Sequence, residues 1–323
     1  MNATLRLSLV LAALLVPLAG LSLLAGKVWV PLGLWGGDDP RWWIILDLRL
    51  PRALLALLVG GGLGLCGAAL QGYLRNPLAD PSVLGISSSA ALGAVFSIFV
   101  GLSGAAWALP GFALAGAATA TVLLSLVVGR GGSPTLLVLT GVMLSSLTAA
   151  LTTLLISLAP NPFATSEIVT WLIGALTDRS IEDVWLALPL ILLGGVALLG
   201  IGPALDALSL GEAAAQSLGV NLARLRWRLV IGVGLTVGGA VAVSGVIGFV
   251  GLIVPHLLRP LAREQPSALL LPSALGGAAL LLVADTLVRL APGASELRVG
   301  VAMALVGAPF FLWLLLKLRR ELA

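Results

Sequence analysis

The sequence predicts an all-α polytopic membrane protein with about ten transmembrane helices. Three observations carry this. Of the 323 residues, 59% are hydrophobic and only 10% charged, and mean hydropathy is +1.12, so there is too little polar surface for a water-soluble domain of this length. Apolar runs of about 20 residues, enough to cross a hydrocarbon core of about 30 Å, recur from end to end. These runs are continuous, whereas a transmembrane barrel would show alternating segments of about 10 residues.

Breaks at Gly, Pro and charge divide the chain into spans centred on residues 5–26, 53–72, 83–102, 105–128, 135–158, 183–203, 226–244, 246–258, 268–290 and 299–317. The first has Arg6 in front and small residues behind, as a secretory signal does. Its apolar run is about twice the usual h-region and no A-x-A site follows, so it is read as a span. In the second, Gly60, Gly64, Ala68 and Gly72 fall at successive i, i+4 positions, leaving one face nearly bare for a close neighbour. A polar, helix-breaking knot follows in "LQGYLRNPLADPSVLGISSS", Leu70 to Ser89. Asn76 to Pro81 predicts a Pro-braced turn with Asp80 capping the next helix. The eighth span is too short to be a plain crossing. The ninth carries Asp285 one turn before Arg289, a spacing that permits an internal ion pair.

Loop charges give the orientation. With the N-terminus inside, one side receives Arg6, Arg75, Arg130, Arg224, Arg226, Arg228, Arg259, Arg263, Lys317, Arg319 and Arg320. The other receives fewer basic residues and most of the acids, among them Asp38, Asp39, Asp47, Glu167, Asp178, Glu182, Asp183 and Glu296. Both termini are therefore expected in the cytoplasm. Trp29, Trp35, Trp42 and Trp43 in the first outer loop fit an interfacial aromatic belt. The whole chain, 1–323, is expected to be a single transmembrane domain without repeats.

Several chemistries are excluded. One cysteine, Cys66, allows no internal disulfide, and with one histidine, His256, no His/Cys metal cluster is expected. The net charge of +4 is spread over loop ends, so no nucleic-acid partner is expected. "GLSLLAGKV" fails as a phosphate loop: its glycine spacing is one residue too long, Val28 replaces the Ser/Thr, and it lies in a span. Ser87, Ser88 and Ser89 with His256 suggest an intramembrane hydrolase, yet G-I-S-S-S lacks the G-x-S-x-G elbow. Secondary transport would need an intramembrane ionisable group, for which Asp285 is the candidate.

The loop at about 204–225, "ALDALSLGEAAAQSLGVNLARLRWR", is the most soluble-looking segment. Ser209 and Glu212 have capping-box spacing, Gly219 suits a helix C′ position, and Ala213, Ala214, Ala215 and Leu218 offer a small face suited to a groove on another protein. On the opposite side Arg49 and Arg52 flank Leu50 and Pro51, and Arg289 ends the ninth span. Three arginines at one boundary either anchor the interface and pair internally, or bind carboxylates from outside.

The chain resembles the membrane permease subunit of bacterial ABC importers for iron-siderophore, haem and vitamin B12. The resemblance rests on "RLPRALLALLVGGGLGLCGAALQGYLRNPLADPSVLGISSSAALGA", "WLIGAL", "LSLGEAAAQSLGVNLARLR", "GFVGLIVPHLLRPL", "LLLVADTLVRL" and "SELRVGVAMALVGAPFFLWLL", in order, across roughly Leu48 to Leu316. It implies type II ABC importer architecture in the bacterial inner membrane: a homodimer of ten-helix subunits, two cytoplasmic ATPase subunits, a periplasmic binding protein and no cofactor. It implies an ATPase-coupling role for Gly211, Glu212, Ala213, Ala214, Ser217, Leu218 and Gly219, and a cytoplasmic gate at Asn76 and Leu78, with Ser133 and Thr135 as further candidates. It also implies that Arg49, Arg52 and Arg289 meet glutamates of the binding protein. An iron(III)-siderophore is the expected substrate, with cobalamin or haem as alternatives. The sequence departs from the family pattern at Val246, where G-P-I-G-F-V-G-L has proline, and at Arg298, where E-L-P-x-G has proline. A loop arginine at 298 changes the outer face expected to meet the binding protein.

Overall fold

The computed structural model describes residues 3–31, 33, 35, 39, 41–129, 131–262, 265–291 and 297–322. Among the charges used to orient the chain, Asp38, Arg130, Arg263 and Glu296 lie outside them.

Helices occur in the order α1 (Ala3–Leu24), α2 (Arg41–Trp43), α3 (Leu50–Leu74), α4 (Ile86–Phe99), α5 (Ala108–Val128), α6 (Pro134–Ser157), α7 (Pro162–Leu172), α8 (Ile181–Leu199), α9 (Gly202–Ser209), α10 (Glu212–Ser217), α11 (Leu222–Ser244), α12 (Val250–Leu258), α13 (Pro266–Leu290) and α14 (Val299–Leu322). Among the described residues, eight helical segments are long and apolar enough to cross a membrane, and two shorter apolar helices, Ile86–Phe99 and Val250–Ala262, fall where the third and eighth spans were expected. The all-helical expectation holds. At 14 residues, α4 spans only about 21 Å, and the chain before it is the irregular turn.

Helix α3 forms the core of the bundle. It packs most extensively on α13 and also on α8, α11 and α12. The glycine face is the reason: a Cβ at Gly64 would strike the Ser273 carbonyl, one at Gly60 the Gly277 carbonyl, and one at Gly67 the Gly251 backbone. Without side chains between them the helices approach to backbone contact, which is how apolar helices gain packing energy where lipid offers no hydrophobic driving force. Before α3, Ile44–Arg49 is π-helical. Pro51 has no N–H to donate, and a widened turn is where a helix absorbs such an interruption.

Helix starts follow local chemistry. Asn161, Ser133 and Asn221 each accept a backbone N–H at the first turn of α7, α6 and α11. The capping box expected at Ser209 and Glu212 does not form. Ser209 Oγ donates instead to the Asp206 carbonyl at 2.6 Å, and α10 starts from Gly211 at φ +104°, which makes Glu212 the first helical residue rather than the third. A capping box does form at Ser180 and Asp183, at the start of α8. Helix α7 was not anticipated as a separate element, and the segment before α12 is non-helical, with Gly245 and Phe249 both at positive φ. That irregular backbone is protected by protein contacts, including Ala175 N–H to the Ser244 carbonyl at 2.8 Å.

Candidate functional site

Three regions concentrate polar side chains, and the fold places two at one end of the bundle and one at the other.

The first is the α9–α10 module. Asp206 on α9 accepts Ser267 N–H at 2.8 Å and the Ser267 hydroxyl, fixing the module to the first turn of α13. Helix α10 ends in a Schellman arrangement, with Gly219 N–H on the Gln216 carbonyl and Val220 N–H on the Ala215 carbonyl at 2.9 and 3.0 Å. Gly219, at φ +85°, occupies the C′ position that its place in the sequence predicts. Ala215 is buried and anchors the helix, while Glu212, Ala213, Ser217, Leu218 and Gly219 are exposed and Gly211 and Ala214 are half-buried. Leu218 is 65% exposed. The result is a short, rigidly held helix whose exposed surface combines Glu212, Ala213, Gln216, Ser217 and Leu218, while Ala215, expected on that face, is turned inward.

The second is the turn after α3. Arg75 ends the helix in the left-handed conformation. Asn76 Oδ1 accepts Leu78 N–H, and Asp80 Oδ1 accepts Ser82 N–H, each at 2.9 Å. Asp80 therefore caps the 3₁₀ turn Pro81–Leu84. Ser133 and Thr135 stand at the exposed start of α6. Where α6 meets this turn it does so at Gly141, packed on the Val83 carbonyl and Leu84, about 9 Å along the helix from Thr135. Sequence reading missed Gln71. Its amide donates to the Ala79 and Gly251 carbonyls at 3.3 Å and accepts from Arg259 Nη2 at 2.6 Å, tying the turn to α3 and α12. A lone glutamine inside an apolar run was the available signal. Arg226 Nε on Tyr73 Oη and Nη1 on the Gly129 carbonyl, both at 3.0 Å, brace the same end.

The third lies at the opposite end, where the arginines expected at the surface are buried. Arg49, Arg52 and Arg289 are only 6%, 8% and 4% exposed. Arg49 donates to the Leu23 and Leu24 carbonyls at 2.8 and 2.7 Å and to Val28. Arg52 Nε sits 2.8 and 2.9 Å from the two oxygens of Asp285, itself fully buried. Arg289 approaches Asp285 at 3.3 Å and donates to Ser22 Oγ at 2.6 Å. The intrahelical Asp285–Arg289 pair is thus present, within a network joining α1, α3 and α13. The exposed placement is corrected because a guanidinium at a bilayer boundary gains more from internal acceptors than from the interface. The three arginines line a cavity of about 570 Å³, with Lys27, Arg179 and Arg298 contributing further positive charge and Asp178 the one carboxylate among the described lining residues.

The serines and histidine of the hydrolase reading are engaged structurally. Ser88 and Ser89 donate to the Gly85 carbonyl at 3.0 and 2.7 Å, and the His256 ring packs edge-on against Phe310.

Comparison with known proteins matches residues 9–317 to the FecCD transport family. The chain is 39% identical over 310 residues to the Fe(3+) dicitrate transport system permease protein FecD of Escherichia coli (strain K12), covering 94% of this chain and 96% of that protein. It is 39% identical over 303 residues to the vitamin B12 import system permease protein BtuC of Citrobacter koseri, covering 93% and 91%. Among solved structures it resembles one described as an inward-facing conformation of a metal-chelate type ABC transporter, with a TM-score of 0.88 and 35% identity over 97% of this chain and 99% of the other.

Proposed function

Because the chain belongs to the FecCD transport family, we propose that it is the permease subunit of an ATP-driven importer that carries an iron(III)-siderophore across the bacterial inner membrane. The observation that carries the reading is the α9–α10 module: a capped helix on the side where the loop arginines cluster, held to α13 by Asp206 and exposing Glu212, Ala213, Ser217 and Leu218. Such a module suits a cytoplasmic ATPase groove, with Gly211, Ala214 and Gly219 shaping it. Two copies of the chain would enclose the path, with both termini cytoplasmic, and residues 1–323 would act as one transmembrane domain. The Asn76–Leu78 turn, held by Gln71, would form the cytoplasmic gate together with Ser133 and Thr135. Arg49, Arg52 and Arg289 would form the floor of the pocket that receives a periplasmic binding protein.

Cobalamin is the second reading, since the relative named for vitamin B12 import is as similar as the one named for ferric dicitrate. Vesicles holding the permease, its ATPase and its binding protein should take up labelled ferric siderophore only with ATP inside the ATPase compartment. Preferential uptake of cobalamin or haem would reassign the substrate. Uptake driven by a proton gradient without the ATPase would overturn the importer reading itself.

Coupling gives a sharper expectation. Glu212 stands in the first turn of α10, where a carboxylate suits the positive end of the helix. Glu212→Lys should reduce uptake and transport-linked ATP hydrolysis about tenfold, while the expression yield stays normal because the residue is exposed. Wild-type uptake in this variant would remove the coupling role.

A further inference from the structure

A further cavity, of about 400 Å³, opens where two helices of membrane-crossing length end side by side. Helix α8 stops at Leu199, α11 begins at Leu222, and α9 and α10 connect them. One wall of the cavity is apolar, with Ile201, Pro203, Ala204 and Leu218, and the other carries Arg224 and Arg228 of α11. In the run "ARLRWR" the arginines fall at alternate positions, which a helix sends to different faces. Arg226 turns inward, its Nε donating to Tyr73 Oη and its Nη1 to the Gly129 carbonyl. Arg224 and Arg228, one turn apart, stay exposed, and among the described residues neither guanidinium has an ion pair or a hydrogen bond. No carboxylate is among the described lining residues, and Asp206, the acid of α9, is committed to Ser267. Like charges one turn apart on a helix repel each other, so this wall is short of an anion. The surface next to it is apolar. Helices α8 and α11 meet where Leu198 packs on Gly232, and the neighbours of that contact, Leu199 and Ile231, are exposed, as is Val196. Trp227, between the two arginines in sequence only one residue from Arg228, is also exposed, and an indole ring suits the boundary between hydrocarbon and headgroups.

We propose that this cavity holds the headgroup of an anionic phospholipid, with Arg224 and Arg228 on its phosphates and the acyl chains along the exposed apolar side chains of α8 and α11. Guanidinium groups pair with phosphate oxygens in bidentate fashion, and a basic pocket between membrane helices at the headgroup level is the usual form of such a site. Two arginines about 6 Å apart along the helix axis favour a lipid carrying two phosphates over one carrying a single phosphate. The apolar wall decides against a free anion, which would gain nothing from Ile201, Pro203, Ala204 and Leu218. Continuity with the exposed apolar residues of two spans decides against an acidic protein segment. This placement needs only the two spans and not the coupling role of α10.

The test is native mass spectrometry of the detergent-solubilised permease–ATPase complex, titrated with cardiolipin, phosphatidylglycerol and phosphatidylcholine of matched acyl chains. Wild type should bind cardiolipin saturably and about tenfold or more tighter than phosphatidylcholine, with phosphatidylglycerol between them. Arg224→Gln and Arg228→Gln should each weaken cardiolipin binding about fivefold and the double variant about twenty-five-fold, with phosphatidylcholine unaffected. Arg224→Lys/Arg228→Lys, which keeps both charges, should retain most of the preference. Arg319→Gln removes the same charge from an exposed position of α14 outside the cavity and should change nothing. Both pocket arginines are exposed, so monodisperse yield should be normal in every variant. Equal cardiolipin affinity in wild type and the double glutamine variant would overturn the site. If that variant loses labelled inorganic phosphate but keeps cardiolipin, the occupant is a free anion. If it sheds the ATPase subunits while cardiolipin binding is unchanged, the arginines face the ATPase. Either result also overturns the proposal.

Discussion

Asp285→Ala is expected to lower the stability of the permease by about 3–5 kcal/mol, the usual consequence of removing one partner from a buried ion network. Asp285 is fully buried and holds Arg52 at 2.8 Å and Arg289 at 3.3 Å. Truncation removes the carboxylate between two largely buried guanidinium groups, and like-charge repulsion adds to the desolvation cost. Asp285→Asn, which keeps an acceptor but not the charge, should fall between. Arg52→Met/Asp285→Leu should recover part of the loss, because an apolar pair of similar volume has no charge to desolvate. The single cysteine provides the readout: Cys66 is buried, so a thiol-reactive fluorophore reports the temperature at which the bundle opens. An unchanged midpoint in Asp285→Ala would show that the network does not hold α1, α3 and α13 together. The same network argues against Asp285 as a proton carrier, since it is committed to two arginines.

Gly64→Val is expected to be comparably severe. A Cβ at Gly64 would strike the Ser273 carbonyl, and the branched side chain would force α3 and α13 apart along a contact in which Gly60 also meets Gly277 backbone to backbone. Overpacking typically costs about 1–3 kcal/mol, and more where the opposing atoms are backbone and cannot rotate away. The loss should appear as reduced monodisperse yield and an earlier Cys66 exposure. Gly20→Ala is the control. Gly20 lies in α1 with nothing within 4 Å of its Cβ direction, and alanine there should be neutral or stabilising because glycine is the poorer helix former. Equal tolerance at both positions would mean that α3 and α13 are not in backbone contact.

The span pattern was legible because hydrophobicity and length are properties of the chain itself. Ten apolar segments needed no partner to be recognised, and neither did the glycine face of α3 nor the left-handed end of α10 at Gly219, since only glycine reaches φ +85° without strain. The turn at Asn76 to Pro81 was also written locally, in proline and in side chains short enough to bond their own backbone. By contrast, the capping box assigned to Ser209 and Glu212 was a spacing that two helix starts could satisfy. Asp206 and the N-terminus of α13 decided between them, 61 residues apart in sequence.

The sequence by itself determined the class of molecule, the number of apolar segments and the residues able to break or cap them, because each depends on transfer energies and dihedral preferences that act over a few neighbours. Only the tertiary structure decided which charges are used up inside and which stay available. Arg52 and Arg179 look alike in the sequence. Arg52 finds Asp285 from a helix 233 residues away, whereas Arg179 lines the same cavity as Arg52 with its Nε buried and without a hydrogen-bond partner among the described residues. Whether a guanidinium is structural or available for a partner depends on what long-range packing brings within about 4 Å of it, the range over which a charge gains or loses its compensation.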